Sequence, residues 1–332
     1  ALYSLALINF DNKQYHTSIT NLKKISADAK FDNDKYYMLA LNFYCLGEYS
    51  NSNNYLKKIK DTKYFESDKT NKLFVLNYYN LKEYSNVLKY AGLLTEAEKA
   101  DRIFYQASAD FYLDNYDSVV KELDSYLTDY PLSEKFNDAA YLCAVAAYKI
   151  NDFSRAKLLF NRLDNKNLAK KYPSKKFLAY IYLAENNPEK SLQTITEFES
   201  EYALENPDER QELDFIKAQI YYALRNNTKS LEFLNMIKNP EKYGFSKEYY
   251  LLKGNNYQTK LDYSSANYNY LKYLDAKDAD DTSIDIYLRV AANYGKLEKY
   301  ADVLKTVDII IKRYNLLSEP KKIELALLKS RA

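Results

Sequence analysis

Nine turn anchors recur along the 332-residue chain, at Tyr15, Tyr49, Tyr84, Tyr116, Phe153, Pro188, Asn227, Tyr263 and Tyr300, in steps of 32 to 39 residues. Three further columns keep the same register. Nine residues before each anchor stand Ala6, Ala40, Val75, Ala107, Ala144, Ala179, Ala218, Gly254 and Ala291. Three residues after it stand Ser18, Ser52, Val87, Val119, Ala156, Ser191, Ser230, Ala266 and Val303, all small or β-branched. Seven after it stand Leu22, Leu56, Ala91, Leu123, Phe160, Ile195, Leu234, Tyr270 and Val307. A period in this range means one supersecondary unit repeated, each unit too small to bury its apolar face without a neighbour. Small residues mark the close approach of two helices in one hairpin. The apolar column, at helical spacing, faces the next repeat.

Composition agrees. Length alone allows about two domains. Gly numbers 5 and Pro 6, too few turn residues for a sandwich or barrel. The spacing predicts helix pairs at about 2–12 with 15–27, 34–46 with 49–59, 68–80 with 84–93, 98–113 with 116–129 and 133–149 with 153–163. The series continues at 172–185 with 188–203, 209–225 with 228–238, 246–260 with 263–275 and 281–295 with 300–314. One continuous array is expected over residues 1–315. The segment 316–332 holds a further helix, either a cap or the first helix of another repeat; the lack of a markedly polar outer face favours the second.

These columns resemble the tetratricopeptide repeat (TPR) family, most clearly in Ala40, Tyr44, Leu46-Gly47, Tyr49, Ser52 and Leu56. The resemblance spans about nine repeats. It departs from the family in lacking the early Trp, since the chain has none, and in keeping the Pro after the second helix mainly at Pro131 and Pro173. It implies an all-α, right-handed superhelical solenoid of about nine helix-turn-helix repeats, and a non-catalytic scaffold that recruits a protein or peptide partner through its groove. The alternative is a structural subunit of a larger cell-envelope or motor-associated assembly. The segment Leu123 to Phe160, with its Tyr130-Pro131-Leu132-Ser133 break, resembles bacterial cell-envelope TPR proteins of the outer-membrane assembly lipoprotein and Tol-Pal coordinator type. That implies the periplasm or cell envelope, with the cytoplasm as the alternative.

In such repeats the first helices line the groove. Five residues before the anchors stand Phe10, Tyr44, Tyr79, Phe111, Tyr148 and Tyr222, giving way to Leu183, Gln258 and Gly295. Seven residues earlier along the same face come Tyr3, Tyr37, Phe104 and Tyr141. Such a ladder can grip a peptide, because aromatics dominate binding hot spots; it can equally pack repeat against repeat. Asn42, Asn77, Asn256 and Asn293, seven before their anchors, can bond a bound backbone or local carbonyls. No set of three adjacent repeats carries the Lys/Asn/Arg clamp that some family members use for a terminal carboxylate.

Other chemistry is thin. Lys+Arg 48 against Asp+Glu 46 leaves +2, with the signs interspersed and only 8 Arg, unlike the basic stripe of a nucleic-acid binder. The two cysteines, Cys45 and Cys143, lie three repeats apart and are expected as free thiols. With one histidine, His16, neither a Cys/His zinc site nor a histidine triad can form. No cofactor set is legible, and no enzyme is expected. The longest central apolar stretch, Ala139 to Tyr148, falls short of the roughly 20 residues a membrane span needs. The chain starts at Ala1, the expected mark of a processed or shortened head that could have held a signal or anchor. The Glu-rich run from Glu197 to Glu212 is expected as solvated helix surface.

Overall fold

A computed structural model describes residues 1–26, 32–59, 67–164, 173–201, 207–275, 282–313 and 318–331. Residues 27, 172, 202–203, 281 and 314, at the ends of five expected helices, lie outside the described residues. The protein is 82% helical, and no strand occurs among the described residues. It divides into two compact units, Ala1–Ser174 and Lys175–Ala332.

The first unit holds five helical hairpins: α1 (Leu2–Asp11) with α2 (Tyr15–Lys23), α3 (Asp32–Cys45) with α4 (Tyr49–Leu56), α5 (Asp68–Asn80) with α6 (Tyr84–Ala91), α7 (Lys99–Tyr112) with α8 (Tyr116–Asp129), and α9 (Phe136–Lys149) with α10 (Phe153–Asp164). The second holds α11 (Ser174–Ala184) with α12 (Pro188–Glu201), α13 (Pro207–Ala223) with α14 (Asn227–Met236), α15 (Ser246–Thr259) with α16 (Tyr263–Leu274), α17 (Thr282–Lys296) with α18 (Tyr300–Arg313), and a last helix α19 (Glu319–Ser330). Short 3-10 turns at Glu96–Glu98 and Pro240–Lys242 precede α7 and α15; the periodicity did not forecast them.

Every hairpin turns by one device. The residue two before each anchor is left-handed: Lys13, Gly47, Lys82, Asp114, Asn151, Asn186, Arg225, Leu261 and Glu298, with φ between 56° and 74°. The amide of the next residue then donates to the carbonyl five back, as Glu48 does to Phe43 and Asn226 to Tyr221, both at 2.8 Å. This left-handed cap satisfies carbonyls that the helix end would leave bare. The same linking residue caps the second helix. Asp152, Asn187, Asn226 and Asp262 each accept the amide three residues on, at 3.1 Å. Pro188 and Asn227 replace the anchor aromatic in the sixth and seventh hairpins. The device forms there unchanged, which fixes the register of those two repeats.

The columns meet as their sizes demand. All nine small residues, all nine at the third position and all nine at the seventh are buried. Ser18, Ser191 and Ser230 each donate their hydroxyl to the carbonyl of the small residue twelve back, Ala6, Ala179 and Ala218, at 2.8 Å. The bond needs both helices of the hairpin in close contact, which is why the column stays small. Gly254 is the extreme case: a Cβ there would lie 2.6 Å from the Tyr270 ring. Both thiols are free, Cys45 exposed and Cys143 buried, and burial pushes the Cys143 thiol up to about 12.

Candidate functional site

The ladder residues lie on the first helices, and the structure sorts them. Tyr37 is 7% exposed and Phe104 6%, so both are core rings; burial pushes the Tyr37 hydroxyl up to about 12. Neither has a ring face open to a partner, although Tyr3 and Tyr141 stand at the same distance from their own anchors and are less covered. Tyr3, Phe10, Tyr44, Tyr79, Phe111, Tyr141, Tyr148 and Tyr222 are half-buried. Tyr3 packs on the first hairpin's core and Tyr222 on that of the seventh. Tyr141 meets the buried Phe160 edge-on at 6.2 Å.

Five rings of the ladder share one contact. Phe10, Tyr44, Tyr79, Phe111 and Tyr148 each pack on the anchor aromatic five residues ahead, with centroids 5.6–6.4 Å apart. One edge of each ring therefore closes its own turn, and only the rest of its surface remains for other work. In the third and fourth repeats these rings merge into a cluster. Tyr79 meets Tyr105 at 5.5 Å and Tyr112 at 6.4 Å, and Tyr112 stacks on Tyr84 at 4.5 Å. Burial is the first cause that raises the Tyr79 and Tyr105 hydroxyls well above the ordinary phenol range; the next is Tyr112 for Tyr79 and the Asp101 charge for Tyr105. Tyr112 is 48% exposed and forms the open lip of the cluster. The columns did not reveal it, because it stands four before its anchor, where the other repeats carry polar or small residues. A lone aromatic in that column was the available signal.

Charges on the same layer follow a rule the sequence also held. Lys72, twelve before its anchor, reaches Asp101, fifteen before the next, at 2.6 Å, and Glu98 at 2.8 Å. Asp101 in turn takes Lys135 at 2.8 Å. Lys176 and Glu212 repeat the spacing in the second unit at 2.9 Å. Burial works against the Asp101 carboxylate, yet Lys135 and Lys72 hold it below its ordinary range. The Glu-rich run is thus more than solvated surface, since Glu199 also pairs with Lys217 and Glu212 with Lys176.

The asparagine column is internal. Asn42, Asn77, Asn256 and Asn293 are buried. The Asn77 amide donates to Ser52 and Asn53 of the preceding repeat at 2.8 and 2.9 Å. Asn256 repeats this with Ser230 at 3.0 Å, and Asn293 with Asn267 at 2.8 Å. Asn42 bonds the Met38 carbonyl at 2.7 Å. Asn77, Asn256 and Asn293 thus tie repeat to repeat, while Asn42 bonds within its own helix. His16 is exposed on α2. Among the described residues no group of three or more His, Cys, Asp or Glu could hold a metal ion, and no helix is long and apolar enough to cross a membrane.

No family model matches the sequence, and no curated protein is significantly similar to it. Its fold is shared with a solved structure. The apo form of the quorum sensor NprR from B. thuringiensis superposes with a TM-score of 0.58 at 13% identity, over 93% of this chain and 96% of its own. The APC/C hetero-tetramer Cut9-Hcn1 gives 0.45 at 11% identity, over 99% of this chain and 66% of the other. Apo RapI gives 0.43 at 13%, over 71% and 94%. NprR is a TPR-type helical repeat protein, and the nine hairpins described above are an all-α array of that type.

Proposed function

We propose that the chain is a non-catalytic scaffold that holds a protein or peptide partner on its first-helix layer, chiefly in the first unit. One observation carries the reading: a connected cluster of tyrosines, Tyr79, Tyr84, Tyr105 and the half-open Tyr112, joins the third and fourth hairpins. Rigid rings with polar tips bring large contact area at small entropic cost. The shifted ionisations on this layer have ordinary structural causes, burial for the tyrosines and ion pairs for Asp101, so no poised acid or base is required. The nine repeats form one continuous array over residues 1–315 in this reading, with 316–332 as a cap or the start of another repeat.

A partner identified by crosslinking in the native host supplies the test. Tyr112→Ala and Tyr148→Ala should weaken its binding by about 2 kcal/mol if the rings are hot spots, while Gln258→Ala leaves it unchanged. Full affinity in well-folded tyrosine variants would remove the reading.

The alternative, a building block of a larger assembly, draws support from exposed aliphatic residues such as Leu5 and Ile8 on α1 and Ile323 and Leu327 on α19. Light scattering separates the two, since a recruiter is monomeric alone and a building block associates in fixed ratio. An envelope location belongs to the same proposal. It rests on the Tyr130-Pro131-Leu132-Ser133 break, where Ser133 bonds the Tyr126 hydroxyl at 2.6 Å and accepts the Lys135 amide at 3.1 Å. Fractionation of the host tests it.

A further inference from the structure

The second unit holds a cavity of about 520 Å³ between α11, α13 and the segment leading into α15, within the size range of small-ligand sites. Its walls are aromatic. Tyr243 and Phe245 stack nearly parallel, 5.2 Å apart at 4°, and Phe245 stacks on the buried Phe215 at 4.5 Å and 7°. Tyr180 lines the cavity from α11. Its polar groups are carboxylates, Asp208, Glu209, Glu212 and Glu248, and no lysine or arginine is among the described lining residues. The Tyr243 hydroxyl donates to Asp208 Oδ1 at 3.0 Å, which ties ring and carboxylate into one wall. Lys176 reaches Glu212 from outside the lining at 2.9 Å, while Glu209 and Glu248 are exposed at the rim.

We propose that this cavity receives an arginine side chain of a protein partner. The chemistry excludes the other occupants in turn. An anion meets the rim carboxylates Glu209 and Glu248. A purely apolar side chain leaves that charge unanswered. Arginine answers both surfaces at once, because its planar guanidinium stacks on flat rings and its fork of N–H donors engages carboxylates in pairs. The compact, strongly hydrated ammonium of lysine uses the ring wall less well. The site is separate from the tyrosine cluster of the first unit, so either can fail without the other.

Fluorescence anisotropy on the full chain tests it with a labelled Gly-Arg-Gly-Arg-Gly peptide and its citrulline counterpart, which keeps shape and loses charge. The arginine peptide should bind saturably and the citrulline peptide at least ten-fold more weakly. Glu248→Gln and Phe245→Leu should each weaken arginine binding at least ten-fold, while Glu298→Gln, an exposed change elsewhere in the unit, leaves it as it was. Glu248 is a surface residue, so its variant folds even if Phe245→Leu loosens the stack on Phe215. No saturation up to millimolar peptide, equal binding of the two peptides, or undiminished affinity in Glu248→Gln overturns the proposal.

Discussion

Gly254 and Gly295 show at single-residue scale how differently two helical glycines can behave. The Cβ that an alanine would add at Gly254 falls 2.6 Å from two carbons of the Tyr270 ring, whereas nothing lies within 4 Å of the one at Gly295. Tyr270 is fully buried and held by a hydroxyl bond to Asn255 at 2.9 Å, so the ring has little room to yield. Gly254→Ala should therefore cost about 1–3 kcal/mol through overpacking, while Gly295→Ala should gain about 0.5–1 kcal/mol from restricting the unfolded chain. Urea unfolding of the two variants reads the opposite signs directly. Glu122 makes a second test at this scale. One of its carboxylate oxygens is buried without a hydrogen-bond partner. Burial, and then the Asp110 charge, raises its folded pKa above the ordinary 4.5. A raised carboxyl favours the folded state while it is protonated and loses that advantage as pH climbs through the folded pKa. Glu122→Gln should thus raise the melting temperature by roughly 2 °C at pH 7, with the gap closing below about pH 4.5. Melting curves across that range decide it, and a gap independent of pH would point to another cause.

The turn is the element on which the fold repeats, and it is strained by design of its geometry rather than by its residues. Nine left-handed positions close nine first helices, yet only Gly47 among them is a glycine. Asn and Asp tolerate this conformation, but a branched aliphatic such as Leu261, at φ 61° and 68% exposed, gains no packing in return. Leu261→Gly should stabilise the protein by about 0.5–1 kcal/mol, the relief of left-handed strain exceeding the entropy glycine adds to the unfolded chain. Thermal melting checks the sign, and Gly47→Leu should lose a comparable amount. The hairpins were legible at this scale because each column reports a local contact: a small residue answers a serine twelve positions on, and the anchor answers the ring five positions back. Pro188 and Asn227 depart from the aromatic anchor only in the side chain. The backbone device beneath it, a left-handed residue followed by an amide bonding five back, does not depend on that side chain.

At the scale of the whole molecule, stability in a repeat array is a sum of hairpin terms and neighbour terms. Damage should accordingly spread along the chain only as far as the interfaces it loosens. Ala144 is fully buried in the fifth hairpin, and Ala144→Leu should cost roughly 1–3 kcal/mol. In hydrogen exchange the loss of protection should be greatest in α9 and α10, fade into α7 and α8, and leave α15 to α18 protected as before. Uniform loss across both units would mean one cooperative block instead of an array. The sequence by itself determined the helical class, the nine-fold register, the hairpin pairing and the small column, since all of these follow from contacts within about 35 residues that recur with the repeat. The tertiary structure alone decided which ring in a periodic ladder is core and which is surface. Tyr37 and Tyr44 look alike in their columns, yet one lies under the next repeat and the other on the turn, because exposure depends on how neighbouring hairpins cover a helix face. It alone brought together Tyr79, Tyr105 and Tyr112, and walled the carboxylates of α13 with the rings before α15. Those groupings depend on residues such as Tyr112 and Phe245 whose contacts do not recur, and a periodic pattern carries no information about a contact made only once.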